Sequence, residues 1–339
     1  MDALQSIGIF AAQTFLILFA ILAVIIVIAL IAARASHKSE VQVELIHKKY
    51  KRFRNQLRAE TLTKNERKDL KKKLKEEQKA SEEKSRDHEK KVFLIDFEGD
   101  VKASAVENLR EEITAVLTVA TTFDEVVVRV ESPGGVVHGY GLAASQLLRV
   151  REKNIPLTVC IDKVAASGGY LMSCTANKIF SAPFAIVGSI GVVAQVPNVH
   201  RLLKKHDVDY KEYTAGEFKR TVSLLGEITE KGEEKFKQQL EDTHVLFKGF
   251  VQKFRPNLNL ADVATGEYWY GEQALSKGLV DEIKTSDEYL MGLAENHQIV
   301  KVKFEVHESI TDKLTGIMGK SLKSAGLGIL AELETRRFL

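Results

Sequence analysis

Ser167 stands among small residues in Ala165-Ala166-Ser167-Gly168-Gly169-Tyr170, shortly after an apolar run, Leu157 to Ile161, that reads as a strand. A serine hydroxyl held where a strand gives way to a helix can attack a carbonyl carbon. The glycines let a substrate backbone come close, and the Gly168 amide at the helix start can face an oxyanion. No histidine occurs between Ala165 and Pro197 to take the proton. Gly216-Glu217-Phe218-Lys219 offers a replacement, because a lysine in an apolar pocket loses solvation, its pKa falls, and it becomes a general base. Upstream, Val126 to Val130 runs into Glu131-Ser132-Pro133-Gly134-Gly135. Pro133 fixes its own φ and removes a donor, and two glycines then leave amides pointing outward at a strand's C-terminal end, where ligands of open α/β sheets collect. The amides of Gly135 and Gly168 are therefore candidate halves of an oxyanion hole.

Plainer roles compete for the same residues. Small residues after a strand permit tight packing, and a lone lysine is ordinarily solvated. Lys163, in the strand-end loop, and Lys178, before the strand Ile179 to Ser181, read as surface charges. His200 and His206 fall in an amphipathic helical pattern, Asn198 to Asp207, and read as boundary residues. A Ser-His-Asp triad is the rival arrangement, because triads are defined by geometry rather than by chain order.

The elements that must hold these residues alternate. Val92 to Phe97, Val126 to Val130 and Leu157 to Ile161 read as buried strands; Val106 to Val119, Gly139 to Val150 and the stretch after Ser167 read as helices. Such alternation implies an α/β fold with parallel strands and crossover helices. Glu230 to Arg255 reads as one long amphipathic helix, for packing or for contact between copies. Tyr268-Trp269-Tyr270-Gly271 reads as a strand edge or loop near the cleft.

Residues 1–6 precede an apolar run, Ile7 to Ala33, interrupted only by Gln13 and Thr14. The run exceeds the roughly 20 residues a helix needs to cross a bilayer. It reads as a transmembrane anchor, being too long for a signal-peptide core although Ala33-Arg34-Ala35 imitates a cleavage site. Arg34, Lys38, Lys48, Lys49, Lys51, Arg52 and Arg54 follow, and the positive-inside rule then places the body in the cytoplasm. Cys160 and Cys174, the only cysteines, sit in contexts suited to buried free thiols.

Residues 34–91 form a charged, mostly helical linker with 20 Lys+Arg against 11 Asp+Glu, in a chain whose net charge is only +3. Ile46, Tyr50, Phe53 and Leu57 make one helical stripe, and Thr63 with Glu66 a capping box for a second helix carrying Leu70 and Leu74. The segment reads as a solvated spacer or as a contact with anionic lipid headgroups. Nucleic acid is disfavoured, since acids interleave with the bases and aromatics are few. The catalytic domain is expected over 92–301, and a helical tail over 302–339 serves as a docked helix, a seam between copies or a membrane-surface element. Phosphate-loop, HExxH and paired-cysteine motifs are absent, so no nucleotide, metal or other cofactor is implied.

Five ordered segments carry a resemblance: Ser-Pro-Gly-Gly, Ala-Ser-Gly-Gly-Tyr, Gly188-Ser189-Ile190-Gly191-Val192, Gly-x-x-Lys, and Gly271-Glu272-Gln273-Ala274-Leu275 with Gly278-Leu279-Val280-Asp281. Over Val92 to Ile283, with the anchor and charged segment before it, the chain resembles the signal peptide peptidase A family of membrane-bound serine peptidases. The resemblance implies Ser167 as nucleophile, Lys219, 52 residues on, as general base, Gly135 and Gly168 as oxyanion donors, and Ser189 as a hydrogen-bond partner of the lysine. It also implies the spiral ββα fold shared by Clp peptidases and crotonases, and copies closing a ring or bowl. A single-pass place in the bacterial inner membrane is implied as well, with the catalytic domain on the outer side. Implied substrates are signal-peptide remnants and misfolded or membrane-derived polypeptides, with small or apolar side chains flanking the cut. Two other classes fit the same fold: a catalytically inactive membrane scaffold and a crotonase-like acyl-transfer enzyme.

Overall fold

Parallel strands buried on both faces must be apolar along their whole length, because helices cover each side. That is the pattern of Val92 to Phe97 and of Val126 to Val130. The computed structural model describes residues 13–22, 39–83 and 90–306. Two compact units result, one made of 1–42 with 304–339 and the other of 43–303. The first contains helix α1 (residues 13–22) and a hydrogen bond from Gln42 Nε2 to Glu305 Oε2 at 2.7 Å.

The larger unit carries the chemistry. In chain order come β1 (Ser39–Leu45), α2 (Ile46–Thr61), α3 (Lys64–Glu83), β2 (Lys91–Glu98), α4 (Val106–Leu117), β3 (Glu125–Glu131), α5 (Val137–Glu152), β4 (Leu157–Ile161), β5 (Val164–Ala166) and α6 (Gly168–Ser173). There follow β6 (Lys178–Ser181), β7 (Ile186–Gly188), α7 (His200–Lys205), α8 (Glu230–Phe254), α9 (Leu260–Val263), β8 (Tyr268–Tyr270), α10 (Gly271–Ser276), β9 (Glu282–Ile283), α11 (Ser286–Leu293) and β10 (Gln298–Val306). The main sheet has the order β1-β10-β2-β3-β4-β6-β9, and every pairing from β10 to β9 is parallel. A second sheet, β5-β7-β8, pairs parallel and then antiparallel. One face of the main sheet packs Ile95, Phe97, Val128 and Val159 against Leu109, Ile113, Tyr140 and Leu147 of α4 and α5. The opposite face packs Leu94, Val127 and Cys160 against Ile46 of α2 and Leu290 of α11.

Several expectations need correcting or placing. The charged segment carries the helices α2 and α3 but also a strand, because Val41, Val43 and Leu45 alternate with a period of two and Ser39–Leu45 forms β1. The stripe of α2 is covered only over its first turns: Ile46 is buried and Tyr50 half-buried, whereas Phe53 and Leu57 are exposed. Thr63 and Glu66 do open α3, with the Thr63 N–H and hydroxyl both donating to Glu66 Oε2 at 2.8 and 2.7 Å. Among the described residues no helix is long and apolar enough to cross a membrane. Most of the apolar run, 7–12 and 23–33, lies outside the described residues, as do 307–339 of the expected tail 302–339, whose first residues, 302–306, continue β10 as a strand and not a helix. Cys160 and Cys174 are free and buried.

Two carboxylates tie the strands together and predict an acid limb of stability. Burial alone would raise the Asp96 carboxyl, but Arg129, donating Nε and a terminal nitrogen at 2.6 and 2.7 Å, and Lys301 at 2.7 Å hold it below its usual range. Burial likewise opposes ionisation of Glu125, and Lys90, Tyr289 and Thr158, at 2.8, 2.6 and 2.8 Å, outweigh it. A carboxyl whose folded pKa is depressed contributes stability above its unfolded pKa, and loses it as pH falls through the folded value. The urea midpoint read by Trp269 fluorescence is therefore expected to fall steeply below pH ~4. Asp96→Asn should flatten that limb and cost about 2 kcal/mol at neutral pH by leaving Arg129 unpaired.

Candidate active site

The site is built at the C-terminal ends of β3 and β5. Ser132 N–H donates to Val164 O at 2.8 Å and Ala166 N–H to Ser132 O at 3.0 Å, so the Ser-Pro-Gly-Gly turn is laced to the strand that leads into Ser167. Ser167 then adopts φ 51°, ψ −117° as α6 begins. That conformation is strained for a residue with a Cβ, and strain of about 1–3 kcal/mol persists only where surrounding structure enforces it. Here the Ser167 N–H donates to Gly188 O at 2.7 Å, and Ser167 O accepts from Leu171 N–H at 2.9 Å. The sharp turn leaves the serine half-buried at the strand end.

Gly134 is pressed against this turn at φ +85°. A Cβ there would stand 2.7 Å from both Ala166 O and Gly168 N, and 2.8 Å from the Ser167 Cβ. Gly134→Ala is accordingly expected to lower stability by about 1–3 kcal/mol and to remove most activity, read by a thermal scan alongside peptide hydrolysis. The Gly134 N–H is bonded inward to Ser132 Oγ at 3.1 Å. The amides of Gly135 and Gly168 form no hydrogen bond among the described residues. Gly135 is exposed, and its Cα lies against the Val101 carbonyl, leaving no room for a side chain. Two free N–H groups next to a strained serine can stabilise an oxyanion formed at that serine.

Two groups went unnoticed in the sequence. The Ser132 and Tyr140 hydroxyls lie 2.5 Å apart, Tyr140 O–H donates to Asp100 O at 2.8 Å, and the Tyr140 ring packs on the Cα of Gly168. Ser132 lay inside a recognised motif. Tyr140 gave no signal beyond a hydroxyl on the core-facing side of a helix.

Lys219 and Ser189 are placed but not joined to Ser167. Lys219 is exposed, in a segment between α7 and α8 without helix or strand, rather than in an apolar pocket. Its backbone N–H closes a turn onto Gly216 O at 3.2 Å, and Gly216 sits at φ +96°. Its neighbours fasten that turn to α8: Glu217 pairs with Lys231, and the Phe218 ring lies 5.7 and 5.6 Å from the ammonium nitrogens of Lys231 and Lys235. Ser189, at φ 51°, donates its hydroxyl to Gly266 O at 3.4 Å. The competing groups have other partners. Lys163 pairs with Glu131 at 2.8 Å, and His200 Nδ1 lies 3.3 Å from Leu225 O. Among the described residues no His, Cys, Asp or Glu cluster could hold a metal ion.

Comparison with known proteins identifies the family of the chain. The family model "Peptidase family S49 N-terminal" matches residues 2–147, and "Peptidase family S49" matches 149–300. The probable protease SohB of Haemophilus influenzae is 46% identical over 348 residues, covering 99% of this chain and 98% of that protein. The probable protease SohB of Buchnera aphidicola subsp. Acyrthosiphon pisum is 49% identical over 244 residues, 72% of this chain and 73% of that one. A putative signal peptide peptidase SppA of Enterococcus faecium is 29% identical over 177 residues, 51% of each chain. A match at 46% identity that runs nearly end to end, together with two consecutive family matches, places the chain in peptidase family S49, alongside relatives named probable protease SohB.

Proposed function

We propose that this protein is a membrane-anchored serine endopeptidase that cleaves extended polypeptides through an acyl-enzyme on Ser167. The observation that carries the reading is the strained Ser167 turn flanked by two unengaged amides, those of Gly135 and Gly168. Neutral Lys219 accepts the hydroxyl proton as Oγ attacks the scissile carbonyl carbon. The carbonyl oxygen, now an oxyanion, lies on the two amides; protonated Lys219 then gives its proton to the leaving amine, and water releases the acyl group. Ser189 orients the lysine amine. The two-sheet α/β architecture supports a Clp peptidase/crotonase-like spiral ββα fold.

This chemistry needs the amine of Lys219, which is exposed and makes no hydrogen bond to Ser167 among the described residues, brought to the serine hydroxyl. The segment that carries the lysine exposes Val208, Tyr210, Tyr213 and Leu224, apolar side chains suited to contact with a second copy of the chain. Assembly of copies thus covers these side chains and delivers the lysine. The apolar run from Ile7 to Ala33 anchors the protein in a bacterial inner membrane. Residues 46–75, with thirteen Lys+Arg against three acids and exposed Phe53 and Leu57, suit contact with anionic lipid, and the basic residues after the run favour a cytoplasmic body.

Hydrolysis assays separate this reading from its rivals. Detergent-solubilised full-length protein is expected to cleave unstructured peptides with small or apolar side chains and to leave thioesters intact. Thioester turnover without peptide cleavage would instead identify an acyl-transfer enzyme, and turnover of neither by assembled protein a scaffold.

A further inference from the structure

We propose that Tyr140 is a positioning residue that sets both halves of the oxyanion hole from the buried side. The inference rests on the acyl-enzyme reading above. Oxyanion donors act only when they are held in place before charge develops, and displacement by about 1 Å is enough to lose a large part of the rate. Neither Gly135 nor Gly168 has a side chain with which to be held. Their positions must come from what holds them from behind: Tyr140 packs directly on Gly168 and reaches the Gly134-Gly135 turn through the Ser132 hydroxyl.

Its hydroxyl controls the first half. The Asp100 carbonyl can only accept, so Tyr140 spends its single proton there, at 2.8 Å, and its oxygen is left to accept from the Ser132 hydroxyl at 2.5 Å. The Ser132 oxygen in turn accepts the Gly134 N–H at 3.1 Å. The hydrogen bonds therefore run one way: Gly134 N–H to Ser132, Ser132 to Tyr140, Tyr140 to Asp100. Tying the Gly134 amide inward, with Gly134 at φ +85°, makes the following amide, that of Gly135, the one left free. Val136 N–H donating to Val101 O at 2.9 Å fixes the far side of the same turn.

Its ring controls the second half. Any side chain on Gly168 would collide with Cβ, Cγ and Cδ2 of Tyr140, so the Gly168 backbone rests directly on the ring. Tyr140 and Ser132 are completely buried, which shields the chain of hydrogen bonds from competing water. Burial, the largest effect on the phenol, also raises its pKa, so the proton stays in place at alkaline pH.

Tyr140→Phe keeps the ring on Gly168 and removes the hydroxyl. Full-length protein carrying it is expected to lose roughly 10- to 100-fold in kcat with KM within about 2-fold, and to bind a peptide boronate, a mimic of the tetrahedral intermediate, correspondingly more weakly. Ser132→Ala should lose a similar factor, and the double variant no more than the larger single loss, because both belong to one chain. Unchanged kcat and boronate affinity in both variants would overturn the proposal, as would a loss confined to KM. Fluorophosphonate labelling of the wild type separates the two levels. Labelled Ser167 with unaffected variants overturns only the role of Tyr140, whereas no labelling at Ser167 overturns the acyl-enzyme reading beneath it.

Discussion

Ser167→Ala is expected to lower kcat for peptide hydrolysis by about 10⁴-fold or more, with the thermal midpoint within a few degrees of the parent. Alanine retains the Cβ, so the backbone strain at φ 51° is unchanged and only the nucleophile is lost. Ser167→Gly sharpens the test. Glycine adopts positive φ without penalty, so this variant should be equally inactive yet more stable by about 1 kcal/mol. A serine whose removal stabilises the protein and abolishes turnover is held in its conformation for chemistry. Quenched-fluorescence peptide turnover and thermal scans of identically purified proteins read both quantities, and an active Ser167→Ala protein would remove the nucleophile from the account.

Lys219→Ala should cost about 10³-fold or more in kcat with no loss of stability, since the exposed amine has no bonding partner to forfeit among the described residues. Lys219→Arg should not restore activity, because a guanidinium does not release its proton at working pH. The pH dependence follows from the role. A general base acts unprotonated, so the wild-type rate rises with pH through the ionisation of the base, and the residual rate of Lys219→Ala lacks that rise. If assembly of copies delivers the lysine, specific activity also falls on dilution in parallel with dissociation seen by light scattering. A pH–rate profile shared by wild type and Lys219→Ala would exclude the lysine as base.

Much of the scaffold was legible because buried parallel strands have one physical solution. Val92 to Phe97 and Leu157 to Ile161 are apolar on both faces, and Leu109, Ile113 and Val116 recur at helical spacing between them, so strands and crossovers fall where periodicity puts them. β1 was obscured by its surroundings, because three alternating apolar residues are a weak signal inside a run of charges. In α2 the stripe was read correctly as a pattern, yet only its first turns meet the sheet, and where a helix departs from a core is a tertiary fact. The same division runs through the site. Gly134 and Gly168 announce themselves because close packing leaves no room for a Cβ there, and Ser167 because a nucleophilic hydroxyl among such small residues suits chemistry rather than backbone fit. Tyr140 does not, since a tyrosine on a core-facing helix becomes informative only when Ser132 and Asp100 are seen beside its hydroxyl. Lys219 is put forward by the Gly-x-x-Lys segment and the family resemblance; its exposed setting is visible only in the structure.

The most direct test of the central claim is the rate at which a fluorophosphonate modifies the full-length protein, followed by intact mass and peptide mapping across pH. The account predicts one adduct, on Ser167, forming faster as pH rises and almost not at all in Lys219→Ala. An adduct elsewhere, or one on Ser167 whose rate ignores both pH and Lys219, would contradict it.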